Sequence, residues 1–256
     1  MLFTYRKHPK GVRAYKNILH KSYETVLLDI TLPEARDKQL AEVHHGDILF
    51  IAAPVYSQGA VKLFEDFIKN ADLVFETAVA VFTFGGISCG SAVRDIERVL
   101  SERGVKLIAA AEIPSRHNFA YAGIKGLVET EICDFRPELT DFIEKVHQKT
   151  QKATAIRPRR KMSIHKLFSQ ELLTNLTAYA PKTDKKLCTG CGSCFSLCPS
   201  GAISSDNKIC IRCSACVIAC KTGARELIFK SILPRLYLKR GIYKISLIRQ
   251  KTTFFI

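Results

Sequence analysis

Eight cysteines between positions 188 and 220 are the residues of this chain best equipped for chemistry. They fall into two passes of one spacing, Cys188, Cys191, Cys194 and Cys198 followed by Cys210, Cys213, Cys216 and Cys220, each reading C-x-x-C-x-x-C-x-x-x-C. Thiolates are soft ligands that select iron–sulfur clusters or zinc. Three thiolates separated by two residues on a tightly wound loop can grip three corners of a cubane cluster and leave its fourth iron to a distant ligand. A structural zinc site more usually brings two C-x-x-C pairs with a longer spacer between them, whereas here one run of four appears twice. A disulfide framework is the weakest of the three readings. The chain opens without an apolar leader, and eight clustered thiols suit a reducing cytosol, so the expected location is cytoplasmic.

From Asp184 to Gly223 the sequence resembles the bacterial-type ferredoxins that carry two [4Fe-4S] clusters. Cys198-Pro199-Ser200-Gly201-Ala202-Ile203 is similar to the C-P-x-G-A-I stretch that follows the first run in that family. There, the fourth cysteine of each run crosses to the other cluster. The resemblance therefore implies one cluster on Cys188, Cys191, Cys194 and Cys220, and a second on Cys210, Cys213, Cys216 and Cys198. The second run departs from the pattern, because Lys221 stands after Cys220 where the family has proline, although Thr222-Gly223-Ala224 keeps the rest. Lysine restores the backbone donor that proline lacks, and a donor near a cluster sulfur tunes its potential.

With 256 residues the chain is too long for a ferredoxin alone and suits two unequal domains. Hydrophobic residues make up 47%, as in globular proteins, and no run of eighteen apolar residues suggests a membrane span. The net charge of +15 is lopsided: residues 1–150 hold 19 Lys and Arg against 20 Asp and Glu, while residues 151–256 hold 20 against 4. All the excess belongs to the cysteine-bearing part, and two oxidised clusters at about −2 each would offset only part of it. A basic electron carrier suits an acidic redox partner protein, since complementary charge speeds encounter; a solvated basic face without a specific partner is the plain alternative. Nucleic-acid binding is not expected, because neither a recognisable module nor interleaved aromatics accompany the charge.

The elements that must position this chemistry are legible in the first half. Strand-like runs occur at Leu2 to Tyr5, Thr25 to Ile30, Asp47 to Ala53, Ala78 to Phe84 and Lys106 to Ile113, the third being a continuous apolar run of the kind buried in a parallel sheet. Helical periodicity appears at Val12 to His20, Ala60 to Asn70, Ser91 to Arg103, and a last helix marked by Leu139, Phe142, Ile143 and Val146. Alternating strands and helices predict an α/β fold with a doubly wound five-stranded parallel sheet, most economically flavodoxin-like, followed by a small α+β ferredoxin-like domain with two clusters. In that order the loops Lys7 to Arg13, Pro54 to Gly59 and Phe84 to Gly90 meet at the carboxyl edge of the sheet. The expected partition is a flavodoxin-like domain over 1–150, a basic linker with an amphipathic helix over 151–180, the cluster domain over 181–226 and a basic tail over 227–256.

Over most of its length the chain also resembles bacterial flavodoxin–ferredoxin fusion proteins. The resemblance rests on Asp29-Ile30-Thr31-Leu32-Pro33-Glu34-Ala35-Arg36-Asp37 before the third strand, a Pro54-Val55-Tyr56 turn after it, and Phe84-Gly85-Gly86 after the fourth. It implies an FMN-binding domain exchanging electrons with the clusters, with Tyr56 and Ser57 and the Phe84, Gly85 and Gly86 loop against the flavin. The phosphate loop departs from the family. A hydroxyl-rich turn is usual there, and matching Pro9 and Gly11 gives His8-Pro9-Lys10-Gly11-Val12-Arg13 without a hydroxyl. Lys10, Arg13 and the amides around Gly11 still attract a dianion, but the lost hydrogen bonds, at about 1 kcal/mol each, weaken FMN binding by a few kcal/mol.

Outside these motifs the sequence offers little further chemistry. His117 follows the fifth strand near the same edge, as a flavin contact or a surface histidine; Cys89 and Cys133 match no ligand run and read as small buried residues. No supported catalytic triad or Walker sequence appears. Arg157-Pro158-Arg159-Arg160-Lys161 reads as a linker, and Ile164, Leu167, Phe168, Leu172 and Leu176 as a helical face packing the cluster domain on the first. The C-terminal stretch ending Thr252-Thr253-Phe254-Phe255-Ile256 is expected to dock on the body, with contact to an anionic membrane surface as the alternative. Three functions stay open: an electron carrier using two clusters, favoured over an enzyme; a flavin-dependent reductase of a small molecule; and a cluster-dependent sensor whose first domain is only a scaffold.

Overall fold

The structure, a computed structural model, describes residues 2–4, 17–20, 22–85, 88–115, 117, 136–149, 154–156, 158, 168–203, 208–233, 236, 240 and 252–256. Its framework is one mostly parallel sheet. The long central strands are β4 (Ile48–Tyr56), β7 (Thr77–Gly85) and β8 (Lys106–Ser115), flanked by β1 (Leu2–Thr4) and β2 (Leu27–Asp29) on one side and β11 (Thr253–Phe255) on the other. The order is β2-β1-β4-β7-β8-β11, and every pair is parallel except β8 with β11. Strand β5 (Gly59–Ala60) folds back antiparallel on the end of β4.

Alternation along the strands splits the core into two faces. Leu49, Ile51, Ala53 and Val55 of β4, with Ala78, Ala80, Phe82 and Phe84 of β7, face α2 (Lys62–Asn70) and α3 (Ala92–Ser101). Their neighbours Ile48, Phe50, Ala52, Val79 and Val81 face α4 (Arg136–Lys149), which buries Leu139, Phe142, Ile143 and Val146. Both helices on the first face are amphipathic at the period a helix requires, so burial of their apolar stripes drives their docking.

Several elements differ from the sequence expectation. Pro54-Val55-Tyr56 does not turn; it extends β4, with Pro54 in register opposite Thr83. Helix α1 (Pro33–Leu40) gave no apolar signal because the residues it buries are Arg36 and Gln39. The parallel pair β3 (Val43–His45) and β6 (Asp72–Val74) is too short for a periodic pattern. The amphipathic helix expected from Ile164 is described only from Gln170 to Thr177 (α5); Leu172 and Leu176 are exposed on it, and Phe168 is exposed just before it. The C-terminal segment lies on the body: β11 pairs with β8, and Phe254 stacks on Phe142 at 5.1 Å between ring centroids.

The cysteine-bearing part closes on itself through short antiparallel contacts. Strand β9 (Lys182–Thr183) pairs with β10 (Arg225–Glu226), Tyr179 N–H donates to the Ile228 carbonyl at 2.9 Å, and Ala178 bridges Phe229. Between them lie two short helices, α6 (Ser193–Ser196) and α7 (Ala215–Ala219). Among the described residues no helix is long and apolar enough to cross a membrane.

Candidate metal centre and the loops beside it

Each cysteine run is wound by alternating left-handed residues. In the first, Gly190 (φ +71°) and Gly192 (φ +71°) turn the chain so that Cys188, Cys191 and Cys194 follow one tight loop into α6. Glycine takes this conformation without a Cβ clash. In the second run the aligned residues are Arg212 (φ +53°) and Ser214 (φ +62°), which keep the same winding at a cost of roughly 1–2 kcal/mol each.

Hydrogen bonds repeat in the same way. Phe195 N–H and Ser196 N–H donate to the Gly192 carbonyl, as Val217 N–H and Ile218 N–H donate to that of Ser214. Cys198 N–H reaches the Phe195 carbonyl at 3.2 Å and Cys220 N–H that of Val217 at 3.3 Å. Gly201 and Gly223, both left-handed, close the turns after the fourth cysteines by donating to the Cys198 and Cys220 carbonyls at 3.2 Å. A hydroxyl accompanies each fourth thiol, Ser200 Oγ at 3.8 Å from Cys198 Sγ and Thr222 Oγ1 at 3.6 Å from Cys220 Sγ.

The thiols occupy two environments. Cys188 and Cys191 are exposed, and hydrogen bonds from Ser193 hold the Cys191 thiol below its ordinary pKa. The Thr222 hydroxyl does the same for Cys220. Burial instead pushes Cys213 up to about 12, helped by the charges of Cys216, Cys198 and Cys210. Burial also raises Cys216, against the opposing hydrogen bond and charge of Arg225, and Cys210 and Cys198 add to the rise. Cys198 thus lies within electrostatic reach of the second run's thiols, although it belongs to the first run in sequence. None of the eight is in a disulfide.

Two buried donors accompany the second run. Arg225 is 7% exposed; its Nη2 donates to Cys216 Sγ at 3.6 Å and its Nη1 to Thr183 Oγ1 at 2.7 Å, while Nε has no partner. The Ser214 hydroxyl, 1% exposed overall, is likewise without a partner. A buried cation on the buried Cys216 thiol, and an orphaned hydroxyl in the same run, suit an anionic group carrying sulfur acceptors, so the residues present fit an iron–sulfur cluster. Among the described residues no three His, Cys, Asp or Glu side chains are arranged to hold a metal ion. A cubane takes its thiolates at separate corners, and the winding of the loops carries the cluster reading.

Two long-range anchors seat this part against the sheet. Buried Arg36 of α1 donates to the carbonyls of Ile30 at 3.2 Å, Thr31 at 2.7 Å and Pro199 at 2.7 Å, which fixes the residue after Cys198. Gln170, first residue of α5, donates from Nε2 to the carbonyls of Tyr56 at 3.1 Å and Ala60 at 2.6 Å, and its Oε1 accepts from Lys62 N–H at 3.3 Å. A cavity of about 210 Å³ remains between them, lined among others by Tyr56, Lys62, Gln170, Ser200, Ile209 and Ile211. Tyr56 therefore faces the segment that carries Cys198 and Cys210.

The residues expected around a flavin are only partly brought together. Pro9, Lys10, Gly11, Arg13 and Gly86 lie outside the described residues, as does Cys133. Tyr56 and Ser57 sit in the β4–β5 hairpin, whose turn residues Ser57 (φ +48°) and Gln58 (φ +62°) are both left-handed. Phe84 points into the core at 7% exposure. Gly85 is closely approached by His117: a Cβ there would stand 2.7 Å from its Cα. Sequence reasoning missed the roles of Arg36, Gln170, Ser214 and Arg225. Only the last two had a signal, in the aligned runs, where Gly192 and Ile203 stand at the corresponding positions.

Residues 181–204, which include the whole first run, match the Fer4 family, described as a 4Fe-4S binding domain. No curated protein and no solved structure matches the chain. This segment is ferredoxin-like, the chain carries at least one [4Fe-4S] cluster, and it takes part in iron–sulfur electron transfer.

Proposed function

We propose that this protein is a two-cluster electron carrier on a flavodoxin-like scaffold. One [4Fe-4S] cluster is held by Cys188, Cys191, Cys194 and Cys220, and the other by Cys210, Cys213, Cys216 and Cys198, each passing one electron at a time. The observation that carries this reading is the repetition of the first run's backbone in the second, left-handed residue for left-handed residue and hydrogen bond for hydrogen bond. Non-glycine residues hold that winding in the second run, a strain that ordinarily marks a functional constraint. The charge influence of Cys198 on Cys213 and Cys216 supports the crossing of the fourth ligand. The clusters supply reversible one-electron storage; the chain supplies thiolates, donors to sulfur, and a seat against the sheet.

The order β2-β1-β4-β7-β8 supports the flavodoxin-like assignment, whose ligand site lies at the carboxyl ends of β1, β4 and β7. FMN is the group such a site would take, with Tyr56 and Ser57 beside it, and Tyr56 also lines the cavity next to the cluster segment. Protein purified without oxygen should contain about eight irons per chain, as two cubanes require. About four irons, or zinc, would sink the two-cluster carrier. Titration with FMN, read by quenching of flavin fluorescence, tests the coupling separately: a stoichiometric endpoint supports it, and absence of binding removes the flavin while leaving the carrier.

A further inference from the structure

The two runs are nearly equivalent in backbone, so the places where their side chains differ show what distinguishes one cluster from the other. Aligning Cys198 with Cys220 sets Ile203 against Arg225, each the fifth residue after its cysteine. Aligning Cys191 with Cys213 sets Gly192 against Ser214. At both places the first run has a group that donates nothing, and the second has a donor that is almost completely buried.

Those donors lack ordinary partners. Among the described residues the Arg225 side chain forms no ion pair and donates only to a threonine hydroxyl and the Cys216 sulfur. A guanidinium withdrawn from water without a counter-charge is strongly disfavoured. Its Nε and the Ser214 hydroxyl are both buried and unsatisfied, a condition that native structures seldom leave uncompensated. An anionic cluster on Cys210, Cys213, Cys216 and Cys198 would offer the charge and the sulfur acceptors they lack.

We propose that Arg225, assisted by Ser214, is the positioning residue that raises the reduction potential of the cluster bound by the second run and so makes the two clusters inequivalent. The inference rests on the two-cluster reading. Reduction brings one electron, and one more negative charge, into a site whose Cys216 is buried against Arg225. A fixed cation and hydrogen-bond donors stabilise that added charge more strongly than they stabilise the oxidised cluster. The cluster of Cys188, Cys191, Cys194 and Cys220 has Ile203 and Gly192 at the corresponding places; hydroxyls of Ser193 and Thr222 serve its Cys191 and Cys220 sulfurs, but no buried cation stands at the place of Arg225. Arg225 acts through the Cys216 sulfur and touches no substrate.

The test is an anaerobic redox titration of the full chain with dithionite as the electron donor, followed by electron paramagnetic resonance. It compares the wild type with Arg225→Ile, Arg225→Lys and Ser214→Gly. In Arg225→Ile, which copies the first run, one of the two midpoint potentials should move to a more negative value while the other stays in place. Ser214→Gly should move the same wave less far, and Arg225→Lys should recover part of the loss by keeping the charge. Arg225→Ile with its full iron content and both waves unmoved, or with both moved equally, overturns the proposal. If Arg225→Ile loses iron, the other two variants decide: the same single wave lowered in both supports the proposal, and any other result in them sinks it. Iron content distinguishes the two failures. A wild type short of about eight irons defeats the reading beneath the proposal, whereas eight irons with unresponsive waves defeat the proposal alone.

Discussion

Cys198 closes the first run in sequence, and the proposed crossing assigns it to the cluster of the second. Its carbonyl closes the turn to Gly201, its neighbour Pro199 is held by Arg36, and its charge is felt by Cys213 and Cys216 in the second run. If it ligates the second run's cluster, Cys198→Ala and Cys213→Ala damage the same centre, and their effects are not additive. Each single variant is expected to fall from about eight to about four irons, and the double variant to remain near four. A double variant that loses nearly all its iron would assign Cys198 to the first run's cluster. At this scale the sequence offered candidate ligands because a cysteine run is a local pattern, wound by left-handed residues and tight turns inside it. The donors were another matter. An arginine in a short strand of a basic chain looks like solvated charge until its burial against Cys216 is seen, and nothing local to Ser214 announces an orphaned hydroxyl.

Among the elements, the β4–β5 hairpin is the most heavily constrained. Its turn places Ser57 and Gln58 in left-handed conformations, and the hairpin is gripped from two sides. Asp95, buried in the first turns of α3, accepts from Ser91 Oγ at 2.8 Å and from Ala60 N–H at 3.4 Å, while Gln170 takes up the Tyr56 and Ala60 carbonyls. Gly90 makes the grip feasible: at φ +60° it lets Ser91 N–H reach the Gln58 carbonyl at 2.9 Å, and a Cβ there would lie 2.0 Å from that same oxygen. Gly90→Ala is therefore expected to lower stability by at least about 3 kcal/mol, measured by urea unfolding of the anaerobic protein. A loss under about 1 kcal/mol would mean that the hairpin is not held this closely. The amphipathic helices that follow this hairpin were readable because Phe64, Phe67 and Ile68, or Ile96, Val99 and Leu100, recur at helical spacing. The hairpin was not, since Ser57-Gln58 lacks the Asn-Gly or Asp-Gly signal of a two-residue turn. Helix α1 was hidden for a related reason: a helix that buries Arg36 and Gln39 hides its inward face among polar residues.

For the whole molecule, the last strand changes how the two parts relate. Residues 1–150 were expected to form the sheet domain by themselves, with the basic tail docked on it. The sheet is instead completed by β11, so the cluster part lies in sequence between β8 and the strand that pairs with it. With Arg36 reaching Pro199 and Gln170 reaching the β4–β5 hairpin, the cluster part is held to the sheet at three separate places. Strand β11 also covers β8, whose edge would otherwise offer unpaired backbone groups to another chain. Its two faces serve the two cores: Phe254 stacks on Phe142, and Phe255 packs against the side formed by α2 and α3. Phe254→Asp sets a carboxylate among Phe142 and its neighbours and removes the stacking, which is expected to cost about 3 kcal/mol. Loosening β11 should also bare the β8 edge, so light scattering should show association rising with protein concentration, whereas the wild type stays unchanged over the same range. A Phe254→Asp protein as stable as the wild type and free of concentration-dependent association would show that β8 does not depend on this strand for its cover.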